Sequence, residues 1–488
     1  MSGKRAPETS AKTALVWLRR DLRLGDNPAL QAAIDTGGQV FAVYVLDDKR
    51  QFSPGGAQKW FLHHALQSLG ENLKPLGAPL ILRRGDAGKI IPTLATEIGA
   101  GSVFWNRRYA EDEIATDKKV KAVLKNAGIE TASFNGALLA EPWEIETKSG
   151  GPYRVYTPYW NTLREQGPTR REYPTPTQKP KTSPPRVPSD NLGDWDLLPT
   201  NPDWASAFGE VWTPSEKEAL HQLDDFLDGV INTYGEDRNR PDKRGTSRLS
   251  PFLALGLISP LTIWNKVRAA MDQSGVSDSE AWKFLSEVAW REFSYHLLYH
   301  NPKIPTEPFR EEFRSFNWRS DKKALDAWRR GMTGVPFVDA GMRELWSTGW
   351  MHNRVRMVAA SFLVKNLLLH WREGERWFWE TLVDADPANN VASWQWVAGS
   401  GADAAPYFRI FNPVTQGEKF DPKGDYVRRW IPEIANLPDK HLHDPSSAPQ
   451  KILEAAGITL GKTYPKSIVD LGETRKRALA RYDAMRNE

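Results

Sequence analysis

Cysteine is absent from all 488 residues. That excludes disulfides, thiolate nucleophiles, iron–sulfur clusters and cysteine-ligated zinc. Any electron-transfer chemistry is left to a bound cofactor or to aromatic side chains. Long apolar runs are missing too, none approaching the ~18–20 residues needed to cross a bilayer as a helix. Residues 1–12 are polar and lack the apolar core of a secretion signal, so a cytoplasmic protein without membrane contact is expected. Excess charge of one sign is small, +4, and by itself says nothing about nucleic acid. No Gly-x-Gly-x-x-Gly follows the first apolar run, so a dinucleotide is not expected to be held there in the usual way.

Tryptophan is abundant instead, with 21 residues, most of them beyond Trp195. That implies either a large aromatic core or repeated stacking surfaces. Apolar runs over 14–18, 40–46, 79–82, 103–105 and 131–134 read as strands, and amphipathic stretches over 58–73, 87–98 and 111–127 read as helices. Such alternation predicts a parallel α/β sheet covered on both faces. Nine prolines between Pro168 and Pro202 break regular structure and mark an extended surface connection. Helical periodicity then dominates: 216–233, 260–271, 278–300, 322–330, 338–349, 353–370, 374–383 and a last helix near 473–485, with no convincing strand. The expected organisation is an α/β domain over 13–140, a linker over 141–214 and an all-α domain over 215–488.

Several clusters carry candidate chemistry. Arg238, Arg240, Lys243, Arg244 and Arg248 form a basic loop, which alone reads as a solvated surface or a phosphate contact. Residues 245–251 place hydroxyls at a helix start, either a phosphate cradle or simple capping by Ser250 before Pro251. Glu287, Trp290 and Arg291 share one helix face, as a polar site or as a surface Glu–Arg pair on a helix that also buries Phe284 and Phe293. Asn353, Arg356 and Met357, flanked by His352 and Arg354, fit base contact or one more buried helix. Residues 384–390 set Asp384, Asp386, Asn389 and Asn390 before Trp394 and Trp396. This stretch reads as a helix-terminating turn or a polar site for a heterocycle; the glycine-bearing loop of a Ca²⁺ site is missing, and no metal is expected. Arg409 beside aromatics, then Lys419, Lys423, Arg428 and Arg429, fit a phosphate-facing surface or a solvated one.

Taken in order, the motifs at 246–251, 290–293, 349–357, 371–376 and 403–421 resemble the photolyase/cryptochrome family, and within it bacterial photolyases of cyclobutane pyrimidine dimers (CPDs). The resemblance covers Thr13 to Pro438. It implies a Rossmann-like α/β antenna domain followed by an all-α FAD-binding domain. It further implies a carbon–carbon lyase, monomeric and housed in the bacterial cytoplasm and nucleoid, acting on UV-damaged DNA. Excited FADH⁻ would donate one electron to the dimer, two carbon–carbon bonds would break, and the electron would return. By resemblance, Tyr234, Thr246, Ser247, Leu249 and Ser250 hold FAD near its phosphates. Phe284, where many relatives carry Trp, packs on the adenine side, and Arg291 is counted with the same set. Arg356 and Asp384 pair beside the isoalloxazine, Asp386 faces the ring and ribose, and Asn390 sits at N5. Glu287, Trp290, Asn353, Met357 and Trp396 line the pocket for a flipped dimer, while Arg238, Arg354 and Arg409 hold phosphates. Trp394, Trp371 and Trp318 match a relay from flavin to surface. Asp112 and Glu113 approximate the Asn–Glu pair of folate-binding members, while Trp60, Phe61, His63 and His64 resemble other antenna subtypes. 5,10-Methenyltetrahydrofolate is therefore the first antenna candidate and 8-hydroxy-5-deazaflavin the second. The family's alternatives are a cryptochrome photoreceptor and a (6-4) photolyase.

Overall fold

Alternation of buried side chains to opposite faces organises the first domain. In the computed structural model, which describes residues 13–177, 187–273, 275–403 and 409–487, five short strands form one parallel sheet. They are β1 (Ala14–Leu18), β2 (Val40–Leu46), β3 (Leu80–Arg84), β4 (Ser102–Asn106) and β5 (Glu130–Phe134), in the order β3-β2-β1-β4-β5. Ala14, Val16 and Leu18 enter one core with Leu30 and Leu62, while Leu15 and Trp17 enter another with Ile91 and Leu124. Helices α1 (Pro28–Asp35) and α2 (Gly56–Leu73) thus cover one face, and α3 (Ala87–Glu97) and α4 (Glu111–Asn126) the other. Strand burial on both sides is the reason these runs are continuously apolar rather than alternating. Helix α1 was not legible in the sequence; its signal is Asn27 before Pro28, whose side chain accepts the N–H of Leu30 at 3.1 Å.

The stretch 141–214 contains a helix, α5 (Tyr156–Gln166), whose Tyr159 and Leu163 are buried. Pro180, Pro184 and Pro185 lie outside the described residues.

The helical domain is built around the 23-residue helix Asp278–His300. The amphipathic run expected over 216–233 ends at Asp228, where Gly229 gives way to a 3-10 turn. The helix expected over 353–370 is two pieces. Asn353–Ser361 passes into a π turn, Phe362–Asn366, Leu368 takes φ 56°, and a new helix Trp371–Thr381 begins with His370 as its cap. Apolar periodicity continues through the break because all five residues of the π turn are buried. The turn expected at 384–390 is also corrected: Asp386 caps, and Pro387 opens, a helix running to Ala398. Small polar residues look like a turn by composition, but Asp followed by Pro is a helix start. The final helix spans Leu471–Asn487. Among the described residues no helix is long and apolar enough to cross a membrane.

The two domains are tied by polar contacts as well as a shared core. Gln58 Nε2 of α2 donates to the Ala385 carbonyl at 2.6 Å, and Leu139 N–H donates to Glu292 Oε2 at 2.6 Å. The helix start at Asp386 is therefore braced from the sheet domain.

Candidate cofactor and substrate site

The segment 384–396 sits at the centre of a buried polar network. Asp384 and Asp386 are 8% and 5% exposed. Arg356 donates from Nη1 and Nη2 to the two oxygens of Asp384 at 3.1 and 2.8 Å, a bidentate pair. Ser250 Oγ donates to the same carboxylate at 2.6 Å and accepts from Trp350 Nε1 at 3.3 Å. Ser250 therefore does not cap its own short helix, and the capping reading of 245–251 is overturned. Asp386 Oδ1 accepts the backbone N–H groups of Ala388 and Asn389 at 3.0 and 2.8 Å, and its Oδ2 accepts the Tyr295 hydroxyl at 2.7 Å. Both carboxylates are thus fully partnered, as buried charge requires. Ser250 itself is exposed, so this network opens onto accessible space rather than lying sealed in the core.

One turn into the new helix, Asn390 Nδ2 donates to the Glu375 carbonyl at 3.0 Å and to its Oε1 at 3.1 Å, which leaves Oδ1 as the acceptor. Burial pushes the Glu375 carboxyl up to about 7 against the pull of Arg372, Arg376 and Asn390. Burial likewise lifts Glu344 and Glu292 to about 7. These three groups hold protons in the fold that the unfolded chain releases above the ordinary carboxyl range. Their contribution to stability is complete below about pH 4.5 and is lost as pH rises through about 7, at up to ~1.4 kcal/mol per pH unit for each group. Glu375→Gln should therefore flatten the fall of the melting temperature between pH 5 and pH 7.5. An unchanged slope in thermal scans would show that Glu375 does not titrate in that window.

Around the entrance to 245–251, Tyr234 and Phe284 pack edge to face at 5.4 Å, both against Phe226. Thr246, Ser247 and Leu249 lie on a turn in which Arg248 takes φ 50°. A bulky side chain in the left-handed region costs about 1–2 kcal/mol, so this turn is held by its surroundings, including Arg248 over the Trp350 ring at 4.9 Å.

Glu287 does not pair with Arg291. Its Oε1 accepts Arg238 Nη1 at 2.5 Å, while Arg291 turns to the sheet domain, donating to the Ala137 carbonyl at 2.9 Å and Glu292 Oε1 at 3.0 Å. Arg291 faces the acid network across Tyr295, over whose ring its guanidinium lies at 4.9 Å, close enough to interact electrostatically with Asp386. Trp290 stacks on Tyr156 of α5 at 3.6 Å and 11°, so one indole face is already covered. Asn353 is exposed; Met357 and Trp396 are half-buried. Arg354 is held by the Asn239 amide oxygen and lies over Phe420 at 4.5 Å. Arg409 is exposed and lies over Phe411 at 4.7 Å; residues 404–408 of the 403–421 motif lie outside the described residues.

Of the three tryptophans expected to form a relay, Trp394 and Trp371 are each 2% exposed. Trp394 packs against Phe378 at 4.9 Å and Trp328 at 6.2 Å. The His370 ring lies between the outer two, 5.7 Å from Trp371 and 5.3 Å from Trp318. Four contacts were missed in the sequence: Tyr295, Glu375, Tyr156 and Asn239. Tyr295 continues the face of Glu287 and Arg291 at helical spacing, a signal that was available. Tyr156 stood in a stretch read as linker, where no periodicity marked it.

In the sheet domain, Asp112 and Glu113 flank a cleft at the carboxyl ends of β1 and β2. Glu113 is held by Arg20 and Arg108 at 3.4 Å each, and Asp112 by Arg50 at 3.6 Å. The cavity among them measures about 60 Å³, well below the ~300 Å³ at which ligand pockets usually begin. Trp60 and Phe61 lie elsewhere, packed on Phe208 and Phe252. Among the described residues no group of three or more His, Asp or Glu is placed to hold a metal ion.

Two family models match the chain: DNA photolyase over residues 14–181, and the FAD binding domain of DNA photolyase over residues 284–484. Deoxyribodipyrimidine photo-lyase of Agrobacterium fabrum is 52% identical over 98% of this chain and 99% of its own length. Cryptochrome-1 of Arabidopsis thaliana is 36% identical over 98% of this chain and 71% of its own. The crystal structure of a bacterial class III photolyase from Agrobacterium tumefaciens superposes with a TM-score of 0.94 at 50% identity, covering the whole of both chains.

Proposed function

We propose that this chain, which belongs to the DNA photolyase family, is a deoxyribodipyrimidine photo-lyase that repairs cyclobutane pyrimidine dimers under blue or near-UV light. The observation that carries the reading is the network on the helix start at Asp386. Two buried carboxylates, a bidentate guanidinium, a serine hydroxyl open to solvent and a fixed amide acceptor converge there. That donor and acceptor set suits a flavin, which is both hydrogen-bonding and redox-active. FAD held there would supply the light-driven one-electron chemistry that cleaves the cyclobutane ring with no net redox change.

The chain's own residues bind and orient. Ser250 and Arg356 fix Asp384, and Tyr295 fixes Asp386, so that both acids keep one geometry. Glu375 holds the Asn390 amide with its oxygen outward, ready to accept the proton of a ring nitrogen. Tyr234, Thr246, Ser247, Leu249, Ser250 and Phe284 form the adenine and phosphate side. Glu287, the open face of Trp290, Asn353, Met357 and Trp396 receive the extruded dimer, whose poor stacking lowers the cost of flipping it. Arg238, Arg354 and Arg409 contact phosphates. Asn353 and Met357 stand where the (6-4) branch places histidine, which favours the cyclobutane lesion. For the antenna, methenyltetrahydrofolate stands first and 8-hydroxy-5-deazaflavin second.

The test is direct. Flavin-reduced protein, mixed with a thymine-dimer oligonucleotide and illuminated, should restore thymine absorbance. Glu287→Gln and Asn353→Ala should retain flavin but slow repair by roughly tenfold, the value of one hydrogen bond to a charged group. Flavin binding without any repair would favour the photoreceptor reading, which the 36% identity to a cryptochrome supports. Full-rate repair by both variants would overturn the pocket assignment.

A further inference from the structure

Trp318, the tryptophan expected to end the relay at the surface, is half-buried beside a cluster of uncompensated positive charge. The Arg319 N–H donates to the Leu368 carbonyl at 2.8 Å, which lays this segment beside Leu369 and sets the Trp318 ring 5.3 Å from His370. The final helix, Leu471–Asn487, closes over the same place. Its Ala478 and Met485 share a small core with Phe313, Phe316 and Leu368, and Trp318 packs against that core.

This helix brings two arginines to the ring. Arg481 donates from Nη1 to the carbonyl of Asn317, one residue before Trp318, and Arg477 donates from Nη2 to the Asn366 carbonyl at 2.8 Å. Arg319 follows Trp318 directly in the chain. A guanidinium held by a carbonyl is fixed in place but keeps its whole charge. Arg477 and Arg481 stand four residues apart on one helix face, where like charges repel. Burial and the charges of Arg319 and Arg481 push the Arg477 guanidinium down, against the pull of Glu473. Neither Arg477 nor Arg481 forms an ion pair among the described residues, and Arg319 meets Asp321 at 3.8 Å. Three cations thus face two carboxylates, Asp321 and Glu473.

A relay tryptophan that has given up an electron must be refilled from solution before the charge returns inward. Positive charge around the ring draws anions to it and raises their encounter rate. A protein donor would need an exposed apolar anchor beside the ring. None of the large apolar side chains that stand well exposed belongs to 313–319, 366–370 or 471–487.

We propose that Arg319, Arg477 and Arg481 form a docking patch at Trp318 for a small anionic one-electron reductant. One electron passes from the anion to the Trp318 radical cation. The donor is oxidised by one electron, the indole returns to its neutral form, and no proton moves and no bond changes. This rests on the reading of Trp318 as the outer end of a tryptophan relay, and names the class of donor that the relay takes.

Transient absorption of the tryptophan radical, after a flash on flavin-loaded oxidised protein, reads the step with ferrocyanide or neutral hydroquinone as donor. Scavenging by ferrocyanide should slow about fivefold as ionic strength rises from ~0.01 to ~0.3 M, while scavenging by hydroquinone stays level. Arg477→Gln/Arg481→Gln should slow ferrocyanide by about threefold or more at low salt and leave hydroquinone unchanged. The salt series on the unaltered protein stands even where the double variant folds poorly. An equal salt response for both donors overturns the patch, as does a double variant that takes electrons from ferrocyanide at the unaltered rate. Trp318→Phe tests the premise separately. Loss of the scavengeable radical keeps Trp318 as the exit, whereas an undiminished radical removes the relay reading and the patch with it.

Discussion

Asp384→Ala should empty the protein of flavin and lower its stability by about 3 kcal/mol, the largest single-residue effect expected in the helical domain. The carboxylate is the common acceptor of Arg356 and Ser250, and its side chain is 3% exposed against 23% for the guanidinium. Removing it strands a half-buried cation whose other bond, from Nε to the Met351 carbonyl at 2.6 Å, cannot neutralise charge. Truncating one member of a buried pair costs far more than the pair contributes, because the remaining charge keeps its desolvation penalty. Asp384→Asn separates the effects. An amide retains one acceptor for Arg356 and the volume of the site, so folding should survive with a smaller loss, while flavin binding still fails. Thermal unfolding and the flavin-to-protein absorbance ratio read the two quantities. Full flavin occupancy in Asp384→Ala would remove Asp384 from the cofactor site, whatever its effect on stability.

Sequence reached the fold more readily than the contacts. Strands were legible because parallel strands buried on both faces are short unbroken apolar runs, and 14–18 and 40–46 match β1 and β2 residue for residue. Asp278–His300 was legible for its length and periodicity. What failed was local polar chemistry with two uses. Asp386 looked like the end of a helix and caps the start of one; Ser250 looked like a cap and serves Asp384 instead. Asp386 is settled by a local signal, the following Pro387 and the N–H groups of Ala388 and Asn389, whereas the partner of Ser250 lies far along the chain at Asp384, and no local pattern encodes that choice. Glu287 shows the same limit. Helical spacing offered Arg291 four residues away, and the fold supplied Arg238 from another element.

The contact between Trp394 and Gly374 leads to a test of the relay that leaves every tryptophan in place. Gly374 lies in the helix that begins at Trp371, and a Cβ there would meet Trp394 Cη2 at 2.0 Å, Cζ3 at 2.5 Å and Leu363 Cδ2 at 2.6 Å. The absence of a side chain is what lets the Trp371 helix touch the Trp394 ring. Trp394 has little room to retreat, being 2% exposed and boxed by Phe378 and Trp328. Gly374→Ala should thus cost about 1–3 kcal/mol through overpacking, partly offset by alanine's better helix propensity. It should also push Trp394 out of line with Asn390 one turn earlier. Misplacement of a reacting group by ~1 Å can cost up to ~10²-fold, so light-driven reduction of bound oxidised flavin should slow by about tenfold or more. Dimer repair by chemically reduced flavin should be nearly unchanged, because that step does not call on the tryptophans. Following flavin absorbance under illumination with an external electron donor gives the first rate, and repair of a dimer oligonucleotide after chemical reduction gives the second. Equal slowing of both would mean that the substitution disturbs the flavin itself, and an unslowed photoreduction would place the electron's route away from the Trp394 ring and the helix at Gly374.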